Sequence, residues 1–281
     1  MPTTRFAPSP TGLLHLGHAF AALMADREAD GGSFLLRFED LDATRCRAEF
    51  EATIQDDLAW LGLSWPKPVL HQSERLPQYA AAIDSLAAQG LLYPCFCTRR
   101  QIAAEIAQAA EAPHGLPPSL YPGTCRGIPA QERVRRIADG QSHVLRLDVA
   151  LAETRVGTLT FTELGGGPGG EIGEIAARPT LLGDIVLARR DVAASYHLAV
   201  VIDDAFQRVT RVTRGNDLFD ATHVQRLLQA LLRLPLPEYA HHRLILDAAG
   251  NKLSKRNGPA TLRDLRTQGL SAADLRQQLG F

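Results

Sequence analysis

Arg5-Phe6-Ala7-Pro8-Ser9-Pro10-Thr11-Gly12-Leu13-Leu14-His15-Leu16-Gly17-His18 runs directly into the apolar stretch Ala19-Phe20-Ala21-Ala22-Leu23-Met24. It reads as a short strand, a turn fixed by two prolines, and a helix that opens at His15-Leu16-Gly17-His18. Two imidazoles and a glycine backbone then stand at a helix N-terminus, where unpaired N–H groups and the helix dipole favour phosphate.

Working outward, Gly31-Gly32 makes a turn and Ser33–Phe38 a buried strand ending at Glu39-Asp40. Acids at a strand's C-terminal end belong at the ligand edge of an open parallel sheet. Helices over about 47–61 and 75–89, with a short strand Val69–Gln72 between them, continue a strand–helix alternation. The predicted class is α/β, a Rossmann-type parallel sheet whose first half is 1–90. The pattern breaks at Tyr93-Pro94-Cys95-Phe96-Cys97. Residues 91–182 read as an inserted α+β subdomain: a helix over about 99–111, a proline-rich loop Pro113–Pro129 and short strands His143–Asp148 and Arg155–Phe161. Gly165–Gly170 has no strand–glycine–helix setting, so it reads as a flexible loop and not as a dinucleotide fingerprint. The second half of the sheet is expected over 183–240, from strand Asp184–Ala188, helix Tyr196–Phe206, strand Gln207–Arg214 and a helix from about Asp220 to Leu234. A strand at 243–246, a lysine loop and two short helices complete 241–281.

The chain has 281 residues, 45% hydrophobic and 22% charged, an ordinary soluble composition. No stretch approaches about 18 consecutive apolar residues and no signal-peptide pattern opens it, so a cytoplasmic protein with no membrane partner is expected. The net charge of −1 hides an asymmetry: residues 1–62 carry ten acids against five arginines, and 205–281 twelve basic residues against six acids. The C-terminal third could face a polyanion, or the charges could be solvated faces. Only Lys67, Lys252 and Lys255 among 30 basic residues are lysine. Two lie in Asn251-Lys252-Leu253-Ser254-Lys255-Arg256, where a compact point charge is wanted.

Taken together, the opening stretch and Lys252-Leu253-Ser254-Lys255-Arg256 make the chain resemble the class I aminoacyl-tRNA synthetases. Arg5–Gly12 narrows the resemblance to the glutamyl and glutaminyl branch. Phe38-Glu39-Asp40-Leu41-Asp42, Asp184-Ile185-Val186-Leu187, Tyr196-His197-Leu198-Ala199 and Val212-Thr213-Arg214-Gly215 follow in the family's order. Only 25 residues follow Arg256, fewer than the roughly 50 a further domain needs. No anticodon-binding domain is therefore expected. That points to truncated glutamyl-tRNA synthetase paralogues, which attach glutamate to the queuosine base of tRNA(Asp).

The resemblance implies glutamate activation by ATP, brought with Mg2+, to glutamyl-adenylate. His15, His18, Lys252 and Lys255 would be catalytic, the histidines donating to phosphates and the lysines neutralising charge on the leaving pyrophosphate. Pro8, Thr11, Gly12, His15, Gly17, His18 and Lys255 would hold ATP, and Arg5, Ala7, Ser9, Glu39, Tyr196 and Arg214 would hold glutamate. Arginine's planar fork suits the two carboxylates and Glu39 the ammonium. Val200 and Leu218 stand where full-length glutamyl enzymes commonly carry asparagine and tryptophan, which implies a smaller or less polar pocket and activation without tRNA.

The resemblance also implies one structural zinc on Cys95, Cys97, Tyr121 and Cys125. His114 is a chemically better fourth ligand than a tyrosine, and three reduced thiols without metal remain open; Cys46 reads as a free thiol. A monomer acting on glutamate, ATP and queuosine-bearing tRNA(Asp) is expected. The alternatives are a catalytic fragment charging tRNA(Glu) beside a separate anticodon-binding partner, and a non-catalytic tRNA-binding paralogue.

Overall fold

The computed structural model describes residues 1–98, 100–102, 120–189, 193–246, 253 and 260–281. The helix expected over about 99–111 and the first half of the proline-rich loop fall mostly outside them. Strand β1 (Thr3–Phe6), a helix Leu16–Ala29 and strand β2 (Ser33–Phe38) form a parallel unit, with Thr3 opposite Ser33 and Phe6 opposite Leu36. Strand β3 (Leu70–His71) extends it parallel to β2. The helix between β1 and β2 buries Ala19, Phe20, Ala22, Leu23 and Met24. It shares one core with Phe6, Phe34, Leu36 and Phe38 from the strands. Thr4 Oγ1 donates to Ala25 O at 2.7 Å, satisfying a buried hydroxyl.

Strand β4 (Leu92–Cys95) pairs antiparallel with β5 (Val144–Leu147). Strands β6 (Thr160–Glu163) and β7 (Gly173–Ala176) make an antiparallel pair. Strand β8 (Val186–Arg189) pairs with β5, so it belongs to the antiparallel sheet β4-β5-β8 and not to the parallel one that the sequence suggests. The helix Tyr196–Phe206 leads into β9 (Arg211–Gly215), and the helix Phe219–Leu231 into β10 (Glu238–His242). Strand β10 lies between β9 and β6, parallel to both.

The two parallel sets meet along β1 and β9, where the Thr210 N–H donates to Thr3 O at 2.9 Å and Arg5 Nη1 to Thr213 O at 3.1 Å. Side by side the strands read β3-β2-β1-β9-β10-β6-β7. The order reverses between β1 and β9, and ligands of open α/β sheets bind in the crevice at such a switch point.

Besides β8, three elements differ from the sequence reading. Arg155–Phe161 is not one strand: Asp148 caps the helix Val149–Val156, accepting the Leu151 N–H at 3.0 Å, and only then does β6 begin. The strand expected at 243–246 lies earlier, at Glu238–His242, where buried His241 meets Glu163, a partner 78 residues earlier that the sequence does not display. The loop Gly165–Gly170 is held by carboxylates. Glu163 Oε1 accepts from Gly165 and Gly166, and Glu171 Oε2 from Gly169, at 2.8–3.0 Å.

The chain's last two helices, Leu262–Thr267 and Ala272–Leu279, return to the first half of the sheet, with Leu262, Leu275 and Leu279 buried in its core. The Leu262 N–H donates to Leu14 O at 2.8 Å and Thr261 bridges His15. On the opposite side, buried Asp203 accepts from Gln72 Nε2 at 2.9 Å, Arg75 Nε at 2.6 Å and Tyr79 Oη at 2.7 Å. Asp203→Ala strands a mostly buried cation and two donors, and is expected to cost about 3–5 kcal/mol of stability in urea unfolding. A loss below about 1 kcal/mol would show that solvent replaces these bonds.

Candidate functional site

A cavity of about 440 Å³ opens at the β1/β9 switch point. Its walls include Arg5, Ala7, Ser9, Glu39, Tyr196 and Arg214 from the expected glutamate set, and Thr11, His15, Gly17 and His18 from the expected ATP set. Segments over 200 residues apart therefore meet at one place. Pro8 and Gly12 do not line it; Pro8 is buried behind the wall, where its carbonyl accepts the Glu39 N–H at 3.1 Å. Lys252, Lys255 and His114 lie outside the described residues, but Leu253 lines the cavity.

The histidine tetrad is built by capping. His15 Nδ1 accepts the Gly17 N–H at 3.1 Å, and His18 Nδ1 accepts the His15 N–H at 3.2 Å. Both Nδ1 atoms being acceptors, each neutral ring carries its proton on Nε2, the tautomer that donates outward. A Cβ at position 17 would sit 3.1 Å from His15 Cε1. Glycine thus lets the His15 ring fold back over the helix start.

The two arginines differ in charge balance. Arg5 Nε donates to Asp204 Oδ1 at 2.9 Å, and Arg37 Nη1 reaches the same oxygen at 2.9 Å. Burial pushes the Asp204 carboxyl up, but the two guanidinium groups outweigh it and hold it below the usual carboxylate range. Arg214 is also buried, yet its acceptors are all neutral: His241 Nε2 at 3.1 Å, Tyr196 Oη at 3.2 Å, Gln225 Oε1 at 2.7 Å and Thr222 Oγ1 at 2.6 Å. Its plane is fixed and its charge has no ion-pair partner among the described residues. The nearby His197 imidazole is pushed down to about 4, by burial first and by the Arg214 charge second. Burial pushes Glu39 up to about 7 against the pull of Arg37 and Arg5. Among the described residues, the cavity thus holds a cation without an ion-pair partner and a carboxyl that burial lifts to about 7.

A second cavity of about 460 Å³ shares Ser9, Glu39 and Tyr196 as walls and extends to Arg45, Arg146 and Arg189. Leu218 lines the first cavity; Val200 does not, being 1% exposed in the core beneath the helix Tyr196–Phe206. The sequence reading missed Asp204, Thr222, Gln225, Glu163 and His241. Two adjacent acids, Asp203-Asp204, inside an otherwise apolar helix were the one signal that could have exposed Asp204.

The cysteine sulfurs of Cys95, Cys97 and Cys125 lie within 4.8 Å of one another. Tyr121 Oη stands 3.3 Å from Cys95 Sγ and 3.9 Å from Cys97 Sγ, and accepts the Cys125 N–H at 2.8 Å. Cys97 and Cys125 sulfurs are 3.4 Å apart, close to the about 3.8 Å edge of a tetrahedral zinc–thiolate site. Burial and the Cys125 contact push the Cys97 thiol up to about 12. A divalent cation would offset that clustering of negative charge, so the donor set fits zinc. Asp184, just beyond, accepts from Tyr93 and Arg126 and ties this cluster to the antiparallel sheet.

The model of the class I tRNA synthetases for glutamate and glutamine (E and Q), catalytic domain, matches residues 2–278. The chain belongs to this family. With it comes the aminoacyl-tRNA synthetase type of ligase. The synthetase is 48% identical to the glutamyl-Q tRNA(Asp) synthetase of Rhodobacter capsulatus, over 99% of both chains. It is 43% identical to the protein of that name from Symbiobacterium thermophilum, over 95% of this chain and 82% of that one. Among solved structures it resembles a glutamate tRNA ligase from Elizabethkingia meningosepticum in complex with its amino acid, with a TM-score of 0.73 and 28% identity. That likeness covers 92% of the synthetase and 52% of the ligase, so the chain spans about half the length of that structure. No described helix is long and apolar enough to cross a membrane.

Metal analysis of the purified synthetase is expected to give one zinc per chain, and Cys125→Ser to lose it together with the stability of the antiparallel sheet. A metal-free wild type that unfolds at the same temperature with and without added zinc would remove the metal from this cluster.

Proposed function

We propose that the synthetase activates glutamate with ATP, without needing tRNA, and transfers it to the queuosine base of tRNA(Asp). The observation that carries the reading is the single cavity walled by both Arg214, Arg5 and Glu39 and the capped His15 and His18. In the proposed reaction the glutamate α-carboxylate attacks the α-phosphorus of ATP, and the bond to the β-phosphate oxygen breaks to release pyrophosphate. Such chemistry is mostly positioning and charge stabilisation. Arg214 would take one carboxylate, since Arg5 already shares its charge with Asp204. Ionised Glu39 would take the ammonium. His15 and His18 would donate from Nε2 to phosphate oxygens, Thr11 and Gly17 would line the nucleotide's path, and the lysines on either side of Leu253 would neutralise the departing pyrophosphate.

The queuosine acceptor rests on the names of the relatives and on the second cavity. It shares the Ser9, Glu39 and Tyr196 walls, and its arginines suit a nucleic-acid phosphate. A second reading, charging of tRNA(Glu) by a catalytic module, is favoured by the likeness to a glutamate tRNA ligase of about twice the length.

Glutamate-dependent ATP–pyrophosphate exchange is expected without tRNA, followed by acid-stable transfer to tRNA(Asp) only when it carries queuosine. Acylation of tRNA(Glu) at its 3′ end would favour the second reading, and no exchange with or without tRNA would sink both. Because the neutral Glu39 carboxyl cannot hold an ammonium, the KM for glutamate is expected to fall about tenfold as pH rises from 6 to 8. Glu39→Gln should keep KM high and flat across that range.

A further inference from the structure

Arg214 is aimed from behind by a chain of two buried groups that its motif does not include. Its Nε–H donates to His241 Nε2 at 3.1 Å, and His241 Nδ1 lies 2.6 Å from Glu163 Oε2. Glu163 and His241 are both fully buried on their side chains. The other Glu163 oxygen accepts three backbone N–H groups, from Gly165, Gly166 and His241, at 2.9–3.0 Å. The loop can close in this way because position 165 is glycine: a Cβ there would fall 2.2 Å from His241 O. The His241 ring is held by Phe219 at 5.1 Å edge-on, by Tyr239 stacked at 6.1 Å, and by Thr222 Oγ1 at 3.4 Å from Nε2.

The proton positions follow. A carboxylate accepts only, so His241 Nδ1 must donate to Glu163, and Nε2 keeps the lone pair that receives Arg214 Nε–H. Burial pushes the Glu163 carboxyl up, but His241 and the backbone N–H groups outweigh it and keep it low, so it stays an acceptor. The negative charge therefore sits one imidazole away from the guanidinium. A carboxylate in direct contact would orient Arg214 equally well but would offset its charge, as the Asp204 carboxylate that Arg5 shares with Arg37 does in part.

We propose that Glu163 and His241 are positioning residues: Glu163 sets His241 as the Nδ1–H tautomer, and the Nε2 lone pair fixes Arg214 for a substrate carboxylate while leaving its charge unpaired. That the carboxylate is glutamate's rests on the function proposed above. The arrangement makes the carboxylate affinity depend on a proton that no ligand touches. Glu163→Gln is nearly isosteric and keeps an oxygen for the three backbone donors. Its amide donates where the carboxylate accepted, so the histidine proton moves to Nε2 and faces Arg214 Nε–H.

Two measurements test this. Long-range ¹H–¹⁵N correlation of ¹⁵N-histidine-labelled wild type, with the resonance assigned by its loss in His241→Phe, should show His241 as the Nδ1–H form; an Nε2–H form overturns the proposal. In pyrophosphate exchange, Glu163→Gln and His241→Phe should each raise the KM for glutamate about tenfold or more, with the KM for ATP within about twofold of wild type. The double variant should be no worse than His241→Phe, since the carboxylate acts only through the ring. Independent, multiplying losses, or equal losses in both KM values, would mean the pair merely supports the fold. Wild-type protein with the Nδ1–H tautomer but no glutamate-dependent exchange would overturn the glutamate reading and leave the proton arrangement standing.

Discussion

The carboxylate of Asp204, buried between Arg5 and Arg37, is the constraint on which the rest of this molecule depends. It comes from the helix Tyr196–Phe206, while its partners come from the first two strands, so one anion joins both halves of the sheet at their line of contact. Buried charges are tolerated only when each meets its opposite with good geometry. Two guanidinium groups sharing one carboxylate oxygen leave little freedom in how the halves can sit. The neighbouring Asp203 faces another way along the same helix and gathers Gln72, Arg75 and Tyr79. One pair of adjacent acids thereby docks a single helix against three separate segments.

The same triad sets the electrostatics of the cavity. Arg5 enters it with its charge shared, whereas Arg214 enters with four neutral acceptors. Two arginines that look equivalent in the motif are therefore different: one joins the strands through Asp204, and the other has no ion-pair partner among the described residues. Glu39 lies in the field of these groups and of the acids behind them. Burial raises its carboxyl to about 7, which places its change of charge near neutrality. The histidines of the opening helix carry a similar double duty. Their Nδ1 atoms satisfy backbone donors, and that use fixes the tautomer with which they would address phosphate.

Much of this was legible in the sequence because the relevant information is local. The strand-turn-helix of residues 3–29, the helix Tyr196–Phe206 and the spacing of Cys95, Cys97 and Cys125 rest on periodicity, caps and nearest neighbours. Readings failed where partners arrive from far along the chain. A polar His241 within a buried strand has no visible reason until Glu163, 78 residues earlier, supplies its partner. The glycine run 165–170 suggests freedom until the carboxylates of Glu163 and Glu171 are seen to hold it. Val200 was expected at the pocket, but the helical phase turns it into the core.

By itself the sequence determined the α/β alternation, the family and the chemical types available to the site, because each is written in short ordered blocks. Only the tertiary structure decided which arginine keeps its charge, which histidine carries its proton on which nitrogen, and which sheet the strand Val186–Arg189 joins. Those outcomes depend on burial and on hydrogen-bond partners brought together from distant segments, and a linear chain does not display either.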